Sequence, residues 1–292
     1  MSERNNLDRM ASPSPDPTQG TVPQVQPPPP QQAQGLQFTV PTEFVDLPSK
    51  GKYYPEGHPL KDKTSIEIKF MTAKEEDVLA STVLIKKGIV FDRLLQSILV
   101  DRIDPNDLLI GDKNAILVAT RINGYGHEYQ TEVKCPACSN TSKFSFDLSD
   151  LKTRVTSNED YKQDMGVVET ERGTFKIHLK RIDKTVEVKP MTGHDEKRLT
   201  YMINAKSKNN MEESLVTDTL KSYVVSVDGE TSRNTINSFI DSLPARESRT
   251  LRTAYKHVVP RVEILSHYSC ASCAHEQELE VPLNTDFFWP NE

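Results

Sequence analysis

The chain has four cysteines, and they come as two Cys-x-x-Cys turns: KCPACS, Lys134–Ser139, and SCASCA, Ser269–Ala274. One such turn supplies two thiolates, and a structural zinc takes four ligands in a tetrahedron. Cys135 and Cys138 therefore call for a second pair, which Cys270 and Cys273 can provide. A single closed site for structural Zn(II), one ion per chain, is the leading expectation. Three alternatives stay open at this level. Two separate sites could each be completed by histidine, with His127 at the first turn and His267 or His275 at the second. The pairs could be redox-active, or all four thiols could be free. A redox pair wants Cys-x-x-Cys to open a helix after a strand. Here Phe144, Phe146 and Leu148 alternate after the first turn, as Leu279, Val281 and Leu283 do after the second, which is strand periodicity. His58, His178, His194 and His257 stand isolated and read as surface or turn residues.

Other chemistry is not spelled out. The acidic pairs Glu75/Glu76 and Glu212/Glu213 lie where helices start, and the helix dipole accounts for them. NGYGH, Asn123 to His127, is short of glycine for a phosphate cradle and no Lys-Ser/Thr follows it. A metal held by four cysteines has no open position for substrate, so the expected protein is not an enzyme.

The elements that must carry the two turns show an internal repeat. SIEIKFMTAKEE from Ser65 aligns with TVEVKPMTGHDE from Thr185, placing Glu67, Lys69, Met71, Thr72 and Glu76 on Glu187, Lys189, Met191, Thr192 and Glu196 at a constant offset of 120. Ile66/Ile68 and Val186/Val188 alternate as in a half-buried strand. Thr72 ahead of Glu75 and Thr192 ahead of Asp195 have the spacing of a capping box. A second helix follows, with its stripe at Phe91, Leu94, Leu95, Ile98 and Leu99; its counterpart spans Leu215, Leu220 and Tyr223. A third covers Asn114 to Arg121, introduced by Asp112, and Ala245 to Lys256, introduced by Leu243 and Pro244. The offset grows to 135 at the cysteines, so the second copy carries about 15 extra residues, expected in the connection VDGETSRNTINS because loops absorb insertions at low cost. The fold class read from this is α+β. Two strand–helices–strand halves, each with one zinc knuckle, pack about a pseudo-twofold axis into a zinc-ribbon-like unit.

With 36% hydrophobic residues in 292, the chain can bury a real core. Its formal charge of −6, with both signs interleaved, gives no basic face of the kind nucleic acid rewards. No apolar run approaches the ~20 residues that span a bilayer, and no signal-peptide layout opens the sequence. A cytosolic, reducing location fits cysteines used for metal rather than disulfides. Residues 1–37 contain no aromatic residue and hold 8 of the 19 prolines before Gln31, so a disordered Pro/Gln-rich arm is expected there. The first repeat then runs over 38–152, a linker over 153–165 and the second repeat over 166–292. At the far end, TDFFWPNE groups Phe287, Phe288 and Trp289. Docking back on the protein's own core and anchoring a partner are both open to these three side chains.

VDLPSKGKYYPEGHPL, the following KFMTAKEED, and TEVKCPACSNTSKFSFDL together resemble the baseplate hub proteins of T4-type contractile-tailed bacteriophages. The resemblance spans Phe38 to Pro290 and rests on the turn Leu47–Gly51, the helix start at Met71 and Thr72, and the cysteine turn at Cys135 and Cys138. It implies a non-enzymatic protein of tail morphogenesis, made in the host cytoplasm and acting on the central baseplate hub, with hub and other tail proteins as partners. Family members are built-in parts of the virion or assembly helpers. The competing class is a zinc-ribbon nucleic-acid binder. Against it, Glu276, Glu278 and Glu280 stand beside the second turn, while the first offers only Lys134 and Lys143.

Overall fold

The structure is a computed structural model and describes residues 39–150, 152–154, 159–209, 211–212, 214–263, 265–281 and 285–288. The expected Pro/Gln-rich arm lies outside them. The chain divides into two units, Met1–Thr39 and Val40–Glu292, and every described strand and helix belongs to the second.

Strand β1 (Thr42–Asp46) pairs antiparallel with β2 (Ser65–Lys69), from Thr42↔Lys69 to Asp46↔Ser65. Val45, Ile66 and Ile68 point inward, as the alternation requires. The connection between them is held by the turn Leu47–Gly51. Gly51 has φ +72, and a Cβ there would meet Leu60 O and Lys63 N at 2.4 Å, so only glycine fits. Helix α1 (Ala73–Ala80) starts at a Thr72 cap with a full capping box to Glu75. Ser97 also donates to Glu75, at 2.5 Å, tying this start to the helix that carries Ser97. After α2 (Thr82–Lys86), that helix, α3 (Val90–Ile98), buries Leu94, Leu95 and Ile98 completely, and α4 (Ile110–Tyr125) comes next.

Asp112 does not cap α4. Leu109 occupies the cap position, and Asp112 is instead fully buried, accepting from Ser49 N (2.9 Å), Ser49 Oγ (2.6 Å) and Tyr54 OH (2.8 Å). Burial pushes its carboxyl up, against these three bonds. The Leu-Pro-Ser-Lys-Gly turn is thereby fastened to α4, which gives that sequence motif a structural reason.

The hairpin β3 (Glu128–Lys134) and β4 (Thr141–Asp147) carries the first cysteine turn, and β5 (Lys152–Arg154) and α5 (Glu159–Met165) succeed it. The stretch expected as a linker thus carries regular structure on both sides of residues 155–158. A four-stranded sheet comes next, ordered β6 (Val168–Glu169), β7 (Phe175–Leu179), β8 (Lys184–Val188), β9 (Val224–Val227). Between β8 and β9 lie α6 (Gly193–Lys208) and α7 (Leu215–Tyr223). Thr192 caps α6 with its own capping box to Asp195, as Thr72 caps α1. In α7, Leu220 and Tyr223 are buried, but Leu215 from the expected stripe is exposed.

The connection VDGETSRNTINS, expected to be a loop, is one only in part. It runs into α8 (Arg233–Asp241), which buries Ile236 and Ile240. The helical spacing was legible in Ile236, Phe239 and Ile240 at i, i+3 and i+4, with Phe239 packed on the same core, and the polar turn residues Asp228, Gly229 and Glu230 just before it masked it. After α8 come α9 (Ala245–Val258), β10 (Arg261–Glu263) and the hairpin β11 (Leu265–Ser269) and β12 (Glu276–Glu280) with the second cysteine turn.

Two apolar cores result. One gathers Val45 to Leu148 together with Val281, Phe287 and Phe288; the other runs from Val167 to Val258. Several features weld them. β10 pairs with β5 and lies along α4, where a Cβ on Gly111 would meet Pro260 O at 2.2 Å. Ile110 N donates to Met191 O and Gly193 N to Leu108 O, both at 2.9 Å. Lys113 Nζ bridges Asp92 (3.1 Å) and Glu196 (3.0 Å).

Candidate metal centre

Each cysteine turn closes a two-stranded antiparallel hairpin, and the two are built alike. In the first, Lys134 pairs with Thr141; in the second, Ser269 pairs with Glu276. Cys135 N donates to Asn140 O and Ser139 N to Cys135 O, and Cys270 N to His275 O and Ala274 N to Cys270 O, all at 2.9 Å. The residue after each second cysteine is left-handed, Ser139 at φ +60 and Ala274 at φ +53. That conformation turns the backbone so that both sulfurs of a pair face the same point.

The hairpins place these points together. Cys135 Sγ lies 3.7 Å from Cys273 Sγ, and Cys138 Sγ 3.7 Å from Cys270 Sγ. All four sulfurs lie within 4.8 Å of one another. A tetrahedron with metal–sulfur bonds of ~2.3 Å has edges of about 3.8 Å, which the two 3.7 Å separations match, so the four sulfurs could hold one ion. Cys135 and Cys270, the first of each pair, are buried, while Cys138 and Cys273 are exposed.

Side chains hold the hairpins against each other. Asn140 Nδ2 donates to Ser272 Oγ at 2.8 Å, and the Ser142 and Tyr268 hydroxyls lie 3.3 Å apart. Phe144 meets Tyr268 edge to face at 5.4 Å. Val133 and Leu279 pack beneath.

The sulfurs are electrostatically unequal without an ion. Backbone N–H groups of Ser272 and Cys273 favour the Cys270 thiolate and bring it down to about 6. Cys273 also receives a backbone N–H, from His275, but the neighbouring sulfurs of Cys138, Cys135 and Cys270 push it up to about 12. An incoming cation would relieve this crowding of charge and displace the remaining thiol protons.

The histidines weighed as completing ligands stand apart from the sulfur cluster. His127 and His267 are exposed, and His275 serves through its backbone. His194 is not isolated as its sequence context suggested: its Nε2 lies 3.1 Å from Asp107, with Asp104 nearby, in an exposed group of three. Sequence spacing could not show this, because Asp107 and His194 are 87 positions apart.

The aromatic end takes the docked-back course at the two positions described. Phe287 and Phe288 are 0% and 1% exposed. Phe287 packs on Tyr129 at 5.2 Å and Phe288 on Phe91 at 5.6 Å, so neither presents its ring to a partner. Trp289 lies outside the described residues. Arg121, 1% exposed, fastens this end by donating to Phe287 O (2.9 Å), Gly126 O (2.9 Å) and Glu128 O (3.2 Å). Sequence reading missed that arginine, since a charged residue on a helix reads as solvated unless its partners are known.

A mixed α/β chain whose distant turns converge on a closed four-sulfur cluster defines a class of protein in which a metal ion can serve structure rather than turnover. Residues 40–181, a little under half of the chain, match the family described as T4 bacteriophage base plate protein. That span contains the Leu47–Gly51 turn, the Met71-Thr72 helix start and the first cysteine turn, on which the resemblance rests. No curated protein and no solved structure matches the chain.

Proposed function

We propose that this chain is a non-enzymatic protein of the phage baseplate, acting at the central hub as a structural part or an assembly factor and built around one structural Zn(II). The observation that carries the reading is the convergence of Cys135, Cys138, Cys270 and Cys273 at tetrahedral spacing. Ion binding there joins two hairpins from opposite halves of a chain whose first half matches base plate proteins. The two halves are read as copies of one unit related by a pseudo-twofold axis. The matching capping boxes at Thr72 and Thr192 and the matching hydrogen bonds of the two turns support that reading.

An ion with four filled positions activates no water, and its contribution is rigidity. The partners under this reading are hub and other tail proteins, met in the host cytoplasm during assembly and carried into the tail baseplate. No described helix is long and apolar enough to cross a membrane. Nucleic acid is disfavoured as a partner, because Glu276, Glu278 and Glu280 line the exposed face of β12 beside the second turn. The reading is tested by deleting the gene in its native setting and examining lysates by electron microscopy. Tails lacking complete baseplates are expected, with rescue by the wild-type chain and failure of Cys135→Ser. Normal contractile tails after deletion would end the proposal, as would steeply salt-dependent retention of the purified protein on heparin.

A further inference from the structure

Strand β1 has one side occupied and one side open. Pro41 O accepts from Phe70 N at 2.9 Å and Leu47 N donates to Thr64 O at 2.8 Å. With Glu43 opposite Ile68 and Val45 opposite Ile66, the odd-numbered residues make the ladder to β2. The backbone N–H and C=O groups of Thr42, Phe44 and Asp46 therefore point to the outer edge. Among the described residues, β1 pairs with no strand but β2. All three outward residues are exposed, and Phe44 is 71% exposed on the face opposite buried Val45.

The second half shows such an edge covered. There β7 pairs with β8 in the same antiparallel manner, and β6 lies along the outer side of β7, with Val168↔Lys176 and Glu169↔Phe175. An open edge beside an exposed aromatic ring is a template for another strand.

We propose that the outer edge of β1 pairs antiparallel with β1 of a second copy of this chain, about a twofold axis through Phe44. The sequence TEFVD is self-complementary in that register. Thr42 faces Asp46, Glu43 faces Val45, and Phe44 faces Phe44, so no like charges stand opposite and two aromatic rings meet across the strands. Moving the axis to residue 43 sets Glu43 against Glu43, and moving it to 46 sets Asp46 against Asp46. Axes at 42 or 45 avoid a clash but give up part of the overlap. The result is an isologous contact that joins two two-stranded sheets into one of four strands, ordered β2-β1-β1-β2. A five-residue edge covers far less than the ~800 Å² per partner of a standard interface, so the dimer is a reversible one in the micromolar range. Each copy also brings Glu43, Asp46 and Glu67 to the junction, with Glu67 accepting from Thr42 Oγ1 at 2.6 Å. Added salt screens that repulsion and tightens the dimer. None of this depends on the base plate reading.

The test is sedimentation velocity of the purified full-length chain from about 1 to about 200 μM at low and high salt, with hydrogen exchange at both ends of the range. A monomer–dimer equilibrium that tightens with salt is expected, with the Phe44 and Asp46 amides protected only at high concentration. Phe44→Pro removes an outward N–H and leaves the ladder to β2 intact, and Phe44→Lys sets two ammonium groups opposite each other. Each should raise the dissociation constant at least about tenfold without changing metal content. Should the proline variant fail to fold, the lysine variant decides. A monomer throughout the range, a dimer that Phe44→Lys leaves unmoved, or Phe44 and Asp46 amides that exchange equally at both concentrations would overturn the proposal.

Discussion

Replacing Cys135 by serine opens one corner of the sulfur tetrahedron, and the cost can be worked from where the corners lie in the chain. Cys135 and Cys273, 3.7 Å apart in space, are 138 positions apart in sequence. An ion binding both acts as a cross-link closing a loop of that length. The loop-closure relation used for disulfides gives about 5 kcal/mol of destabilisation of the unfolded chain for such a loop. This is comparable to the whole net stability of many domains, about 5–15 kcal/mol. For a chain of this size each kcal/mol moves the unfolding midpoint by roughly 2–4 °C, so Cys135→Ser should lower it by about 10–20 °C. Chelator treatment of the wild-type protein should approach the same value. The informative comparison is the double variant Cys135→Ser/Cys270→Ser. With one ion shared by both residues, as proposed, the second substitution should add little to the first, whereas independent sites would add in full. Metal content by mass spectrometry and unfolding by circular dichroism are the measurements. Two ions per wild-type chain, or additive losses in the double variant, would refute the single shared site.

Three further outcomes are expected. Burial alone would raise the Asp195 carboxyl, but the hydrogen bond from Lys189 Nζ at 2.6 Å and that from Thr192 N hold it below its ordinary range. Its contribution to stability is therefore present above the unfolded carboxylate pKa, ~4, and is lost as pH falls through the depressed folded value. Asp195→Asn should cost about 1–2 kcal/mol at pH 7 and flatten acid unfolding in that window; an unchanged acid limb in a denaturant series would contradict this. Gly111→Ala drives a Cβ toward Pro260 O, so α4 and β10 must separate, at about 1–3 kcal/mol by urea unfolding; a neutral result would show that this contact is loose. Phe288→Ala should cost about 3–5 kcal/mol, because the ring is buried against Phe91; a hub-assembly defect with undiminished stability would return that residue to a partner role.

Local signals in the sequence were enough for the elements that depend on neighbours along the chain. Thr72 with Glu75 and Thr192 with Asp195 announced two helix starts, and the structure has both capping boxes. The alternation after each cysteine turn announced strands: β4 carries Phe144 and Phe146 and β12 carries Leu279, while Leu148 and Val281 follow just after the strands and Leu283 lies outside the described residues. These features are legible because a cap or an amphipathic stripe is satisfied within one or two turns of the residue that forms it. The cysteine set could be named for the same reason, since two thiolates of a pair sit three residues apart by covalent necessity.

What the tertiary structure alone decided depends on groups far apart in the chain. Asp112 reads as a helix cap until Ser49 and Tyr54 are seen donating to it. Arg121 reads as solvated until three carbonyls, one of them at Phe287, are found around it. Phe287 and Phe288 left core and partner roles both open in sequence, and only the folded chain shows both rings buried in the first core. The four sulfurs meet at one point because two hairpins from opposite halves of the chain pack together through Asn140, Ser272, Phe144 and Tyr268. Burial and long-range pairing are properties of the packed chain, so no window of sequence contains them.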